Sequence, residues 1–131
     1  MACVRTKAMV WIIRPGPEVL LLRRPSRRGG AEHPVTGKAD DQESPARCAA
    51  REALEETDLR GELVDLGFNH RYRDQRRELE EHAFLLRVAK GSDPKLSEEH
   101  VSFRWAKPDE VRSVLDWDAH RQAFELALKA F

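Results

Sequence analysis

The feature that most constrains this chain is residues 37–59, GKADDQESPARCAAREALEETDL. A glycine opens the stretch, an acidic loop follows, and the remainder reads as a helix carrying Arg51, Glu52, Glu55 and Glu56. Spacings of three and four put Glu52, Glu55 and Glu56 on one helix face, one above another. Carboxylates so placed repel, so stability alone does not account for them. A divalent cation turns the repulsion into attraction, and a hard ion such as Mg²⁺ prefers carboxylate oxygens. Ala46, Ala49, Ala50, Ala53 and Leu54 supply the small groups expected on the face that packs against a sheet. The competing account, a solvated acidic face, suits a lone Glu-x-x-Glu-Glu better than this longer pattern.

The stretch resembles the Nudix box. Gly37, Glu43, Arg51, Glu52, Glu55, Glu56 and Leu59 stand in that motif's register. Ala53 replaces a larger aliphatic residue, and Asp58 replaces the glycine that ends the motif's helix in a left-handed turn. Aspartate tolerates that conformation better than most residues. The resemblance implies an α/β fold, an α/β/α sandwich around a mixed β-sheet, with the box helix on one side and the C-terminal helix on the other. It also implies Mg²⁺, with Mn²⁺ as a possible substitute, held by Glu52, Glu56 and the carbonyl of Gly37. Glu52, Glu55 and Glu56 are the expected catalytic carboxylates, with Glu52 or Glu56 favoured over Glu43 as base. Glu43 is expected to anchor the loop. Arg51 is expected to steady the acidic helix, with Glu55 four residues ahead as its partner.

A chain of 131 residues is read as one domain, residues 1–131, long enough to bury a core. Its 23 Lys and Arg balance its 23 Asp and Glu, so no global field draws it to nucleic acid or to an acidic membrane. Its two cysteines, Cys3 and Cys48, lie far apart and outside any Cys-x-x-Cys spacing, and a reduced cytoplasmic protein is the simplest account. The apolar run Ala8–Ile13 is too short for a membrane span or a signal core.

In chain order, residues 5–13 and 18–24 read as strands joined by the turn Arg14-Pro15-Gly16-Pro17. Arg23 or Arg24 ends the second strand where a guanidinium can pair bidentately with phosphate. Residues 25–33 form a glycine-bearing loop able to close over a polyphosphate. Residues 62–68 and 81–88 read as strands, and the charged segment 69–80 as a hairpin end or mobile rim. Within it His70 and Tyr72 are the candidates for stacking a base, and its arginines for holding phosphate. Phe103 and Trp105 alternate with polar neighbours, as strand residues packed under helices do. Pro108 starts a short helix, and residues 117–131 read as a closing helix with Ala119, Ala123, Phe124, Leu126, Ala127 and Ala130 as its apolar positions.

Residues 96–105, LSEEHVSFRW, are similar to the C-terminal part of nucleotide-cleaving Nudix enzymes, and Glu99 is by that resemblance a further metal ligand. His100 reads as structural or solvent-facing. Val35-Thr36-Gly37 and Trp117–Ala123 resemble the dihydroneopterin triphosphate pyrophosphohydrolase branch. The resemblance therefore implies a small-molecule nucleotide substrate: a nucleoside or pterin triphosphate cleaved to monophosphate and pyrophosphate. Alternatives are a dinucleoside polyphosphate, ADP-ribose or another nucleotide sugar, and, outside enzymes, a nucleotide-binding module without turnover. Oligomeric state is not legible.

Overall fold

Val4–Arg14 (β1) is the axis of the fold, and its sequence explains why. Ala8, Val10 and Ile12 project to one face, Met9, Trp11 and Ile13 to the other, and all six are buried. A strand apolar on both faces has to lie inside a sheet covered on both sides. The computed structural model describes residues 4–131, so Cys3 lies outside the described residues.

One edge of β1 pairs in parallel with Arg77–Arg87 (β6) from Val4↔Glu78 to Ile13↔Arg87. The other edge is divided. Glu18–Arg23 (β2) pairs with β1 only at Ile13↔Val19 and Arg14↔Glu18. Beyond that point the two strands part, and residues 32–38 enter the gap. Glu32–His33 (β3) pairs with β2, and Val35–Lys38 (β4) pairs with β1. Pro34, which has no N–H to donate, stands at the break between them. Glu62–Asp74 (β5) pairs with β6, and Ser102–Ala106 (β7) with the far edge of β2.

Pro45–Thr57 (α1) covers one face, packing Cys48, Ala49 and Ala53 on Ala8, Val10 and Phe84. Pro108–Val114 (α2) and Asp118–Ala130 (α3) cover the other with Val111, Ala123, Phe124 and Ala127. Trp11 and Phe124 meet there at a ring separation of 5.1 Å. The mixed sheet between helical layers is the α/β/α architecture the sequence led us to expect. No helix among the described residues is long and apolar enough to cross a membrane.

The ends of α1 follow from its sequence. Ser44 Oγ accepts from the Arg47 N–H at 3.2 Å, and Pro45 occupies the first turn, where no donor is lost. At the other end Asp58 adopts φ 56° and its N–H donates to Leu54 O at 2.9 Å. Aspartate thus takes the left-handed position ordinarily given to glycine.

Several expectations need correction. Of the two readings of segment 69–80 the hairpin end holds and the mobile rim does not: β5 runs to Asp74 and β6 starts at Arg77. The register explains the change, since Arg71 faces Glu80, Arg73 faces Glu78 and Asp74 faces Arg77. Opposite charges across antiparallel strands stabilise the ladder, so a high charge density is compatible with strand here. Arg71 Nε donates to Glu80 at 2.8 Å and is not free to hold phosphate. On α1, Ala46, Ala50 and Leu54 form a solvent stripe rather than part of the packing face. Cys48, Ala49, Ala53, Glu56 and Thr57 are the side chains turned inward. Phe103 and Leu126 are also exposed, because β7 is an edge strand and Leu126 lies on the outer side of α3.

Gly61, at the start of β5, is placed where an added methyl would overlap the Arg87 carbonyl oxygen. That oxygen belongs to the strand backbone and cannot swing aside. Gly61→Ala is expected to destabilise the chain by about 1–3 kcal/mol, read as a lowered midpoint in urea unfolding with no change in slope.

Candidate active site

Arg51 organises the acidic end of α1. Its Nε and Nη2 donate to the two carboxylate oxygens of Glu43 at 2.8 and 2.9 Å. Nη1 donates to Glu52 at 3.0 Å and Glu55 at 3.1 Å, and Nη2 also reaches Lys38 O at 3.1 Å. One guanidinium therefore ties the loop after β4 to the helix and offsets part of the charge of three carboxylates. The Arg51 bonds hold the Glu43 carboxyl down at about 2, so Glu43 is a poor proton acceptor near neutral pH.

Glu56 lies outside this network. It is 3% exposed, and its Oε2 is buried without a hydrogen-bond partner. Burial, then the charges of Glu52 and Glu99, push its carboxyl up to about 8. Burial likewise raises Glu52, with the neighbouring Arg51 opposing. Glu52, Glu55 and Glu56 face Ser97, Glu98 and Glu99 across an acidic pocket of about 380 Å³. The loop that brings Glu99 there is pinned to the end of α1, where the Lys95 N–H donates to Thr57 O at 2.9 Å and the Ser97 N–H to Glu56 O at 3.3 Å. A buried carboxylate with an orphaned oxygen, surrounded by further carboxylates, is a donor set for a hard divalent cation. Glu52, Glu56 and Glu99 fit that role on these grounds. Gly37 sits beneath them: its carbonyl accepts from the Cys48 thiol at 3.5 Å, and a methyl at its Cα would collide with the Glu52 carboxylate. Only glycine lets Glu52 approach β4 so closely.

His100, expected to be structural or exposed, is buried 3.9 Å from Glu56 Oε1. Its Nε2 lies 3.2 Å from His33 Nε2. Burial, then the Arg24 charge, lowers both imidazoles, His33 to about 4, so both are uncharged at neutral pH. His33 and Arg24 in turn line a second cleft, of about 320 Å³, with Lys7, Arg28, Thr36, Tyr72, Trp117 and His120. His33 of this cleft thus touches His100, which touches Glu56 of the acidic pocket, so the two pockets are separated by one wall of side chains.

The substrate-binding candidates separate on this geometry. Arg24 lines the cleft, whereas Arg23 is turned to Gly30 O at 3.1 Å and Glu32 at 3.4 Å. Tyr72 lines the cleft, its hydroxyl accepting from Lys7 Nζ at 2.9 Å and its ring meeting the edge of Trp117 at 5.2 Å. His70 lies behind it, stacked on Tyr72 at 5.3 Å and bonded through Nε2 to Glu81 at 2.8 Å. Sequence reasoning missed Lys7, Trp117, His120 and Glu81 as site residues. The segment Trp117–Ala123 stood out as a helix start and by its resemblance, without a role for Trp117 or His120, and no local pattern marks Lys7 or Glu81.

A family model for the NUDIX domain matches residues 4–127. The octanoyltransferase of Myxococcus xanthus is 40% identical over 130 residues, which is 95% of this chain and 36% of that protein. The chain thus spans about a third of the length of the curated relative it matches. The Ap4A hydrolase of C. elegans, as a binary complex, superposes with a TM-score of 0.82 at 22% identity, covering 98% of this chain and 100% of that one. The dihydroneopterin triphosphate pyrophosphohydrolase of E. coli gives 0.81 at 20% identity, covering 96% of each. At such identities the likeness of these two structures is one of fold.

Because folding raises the Glu56 pKa from 4.5 to about 8, its charge destabilises the metal-free fold increasingly as pH climbs between those values. Glu56→Gln cannot ionise and removes that cost. In chelator, thermal or urea unfolding should find the variant more stable than the parent at pH 9, by on the order of 1–3 kcal/mol. The difference should vanish toward pH 5, and a difference independent of pH would contradict the assignment.

Proposed function

The chain belongs to the Nudix hydrolase family, and from that premise we propose that it is a Mg²⁺-dependent hydrolase of nucleoside or pterin triphosphates. It cleaves a phosphoanhydride bond to release a monophosphate and pyrophosphate, acting as a single domain. The observation that carries this reading is the proximity of the two pockets, whose walls meet where His33, His100 and Glu56 touch. A cleft with aromatic walls and three cationic side chains lies beside the carboxylates of α1, with His33 and His100 packed between them. An extended molecule with a flat ring at one end and a polyphosphate at the other matches that sequence of chemistries.

In this reading Tyr72 and Trp117 receive the ring system, and Lys7, Arg24 and Arg28 take phosphate oxygens as charged donors. Glu52, Glu56 and Glu99 hold Mg²⁺, with the Gly37 carbonyl beside them and Glu55 completing the acidic wall. Such an ion, when bound, neutralises phosphate charge and makes water more acidic. The water oxygen forms the new P–O bond as the bridging P–O bond breaks, and the proton passes to Glu52 or Glu56. Burial raises the proton affinity of both, whereas Arg51 suppresses that of Glu43. His33 and His100, both neutral, stand between the pockets and add no charge there.

Hydrolysis of a dinucleoside polyphosphate is the second reading. It is favoured by the Leu96-to-Trp105 segment and by the likeness to the nematode Ap4A hydrolase. The octanoyltransferase relative suggests acyl transfer less well. Cys48 is buried and its thiol is pushed up to about 11, so it offers no thiolate.

A chromatographic screen of nucleoside triphosphates, dihydroneopterin triphosphate, diadenosine tetraphosphate and ADP-ribose with Mg²⁺ tests the proposal. Pyrophosphate and monophosphate should appear from a triphosphate. Glu56→Gln should lower kcat on the order of 10²-fold or more, and Arg24→Ala should raise KM roughly tenfold or more. ATP plus AMP from the tetraphosphate alone would select the second reading, and nucleotide binding without any product would make the domain a binding module.

A further inference from the structure

Behind the aromatic wall of the cleft, three elements converge on one point that hydrolysis does not use. His70 comes from β5, Glu81 from β6 and His120 from α3. Glu81 is 1% exposed, the most deeply buried carboxylate of the described residues. Its Oε1 lies 2.8 Å from His70 Nε2 and 3.3 Å from His120 Nε2, and all three ligand atoms fall within 4.8 Å of one another. The two imidazoles stand nearly perpendicular, at 85°, with ring centroids 6.3 Å apart.

Two facts set this trio apart from an ordinary buried hydrogen-bonded carboxylate. Glu81 Oε2 is buried without a hydrogen-bond partner. The cation nearest to it, Lys7 Nζ, stops 3.6 Å away and gives its hydrogen bond to the Tyr72 hydroxyl instead. Two imidazoles and a carboxylate also form a donor set richer in nitrogen than the acidic site, where several carboxylates have one imidazole, His100, within reach. Mixed nitrogen and oxygen donors favour zinc and its first-row neighbours, whereas all-oxygen sites favour magnesium. Around a tetrahedral ion with bonds of about 2.0–2.1 Å, ligand atoms stand roughly 3.3 Å apart. The Glu81–His120 separation has that value already, and His70 needs to withdraw only by about half an ångström.

We propose that His70, Glu81 and His120 form a second metal site, selective for a zinc-class ion and independent of the carboxylates of α1. The ion takes Glu81 Oε1 and both Nε2 atoms. An imidazole that gives Nε2 to a metal carries its remaining proton on Nδ1. Bound there, it fastens α3 to β5 and β6. His120 lies three residues beyond Trp117, and the two rings are 5.2 Å apart, so the ion also fixes the cleft's aromatic wall. The site thereby acts on the substrate cleft without entering the chemistry at Glu52 and Glu56. It does not depend on the hydrolytic reading and can be tested without turnover.

The test is calorimetric titration of the chelator-treated chain with Zn²⁺ in excess Mg²⁺, with Co²⁺ in parallel for its visible absorption. One ion per chain should bind and raise the melting temperature. Glu81→Gln and His120→Ala should each weaken Zn²⁺ binding at least tenfold and remove the Co²⁺ band and the thermal shift. The double variant Glu52→Gln/Glu56→Gln should keep all three. His120 is partly exposed, so His120→Ala provides a folded comparison, checked by circular dichroism, should Glu81→Gln prove unstable. Zn²⁺ binding unchanged in His120→Ala, absent from the parent chain, or lost in the double variant would overturn the proposal.

Discussion

The concentration of carboxylates at one end of α1 is the constraint that the rest of the molecule accommodates. Glu43, Glu52, Glu55, Glu56 and Glu99 gather around a small volume, and like charges at such distances repel strongly where water is excluded. Arg51 offsets part of that repulsion by bonding Glu43, Glu52 and Glu55 and the Lys38 carbonyl at once. The result is selective. Glu43 becomes a fixed structural anion, whereas Glu56 is left buried and uncompensated. An arrangement that stabilises the loop yet leaves the innermost carboxylate without a partner makes sense as a cation site. It is hard to explain as a device for stability.

The sheet supplies a second feature, a basic cleft set close to that site. Had β1 and β2 paired along their whole length, the two faces of the sheet would be sealed from one another. They pair at only two positions, and the segment 32–38 diverges from β2 to β1 through the gap. Lys7 and Tyr72 lie on the side covered by α3, and Glu52 and Glu56 belong to α1 on the other. His33 and His100 occupy the passage between. Their neutrality is a consequence of burial and of Arg24 nearby. The side chains that fill the break in the sheet therefore place no fixed charge between the two pockets.

Much of the α1 region was legible from sequence because its determinants are local. Helix spacing fixes which glutamates share a face, and Asp58 takes the left-handed turn at the end. Arg51 finds Glu55 one turn away. Where contacts are distant in sequence, reading failed. The strand character of 69–80 depends on Arg71 meeting Glu80 and Arg73 meeting Glu78, a register that no single segment reveals. The wrong alanine stripe on α1 follows from periodicity that admits two small-residue faces, only one of which meets the sheet. Glu81 looked like one more charge at the edge of an apolar run. Its burial results from Lys7, His70 and His120, each brought from a different element.

The central claim is that the carboxylates of α1 and the 97–100 loop form one divalent-cation site at the end of the cleft. Diffraction from crystals soaked in Mn²⁺, recorded near the manganese absorption edge, tests it most directly. The account predicts an anomalous peak bounded by Glu52, Glu56 and Glu99, beside the Gly37 carbonyl. Saturating Mn²⁺ with no ion at those carboxylates, and Glu56 still without a partner, would contradict it.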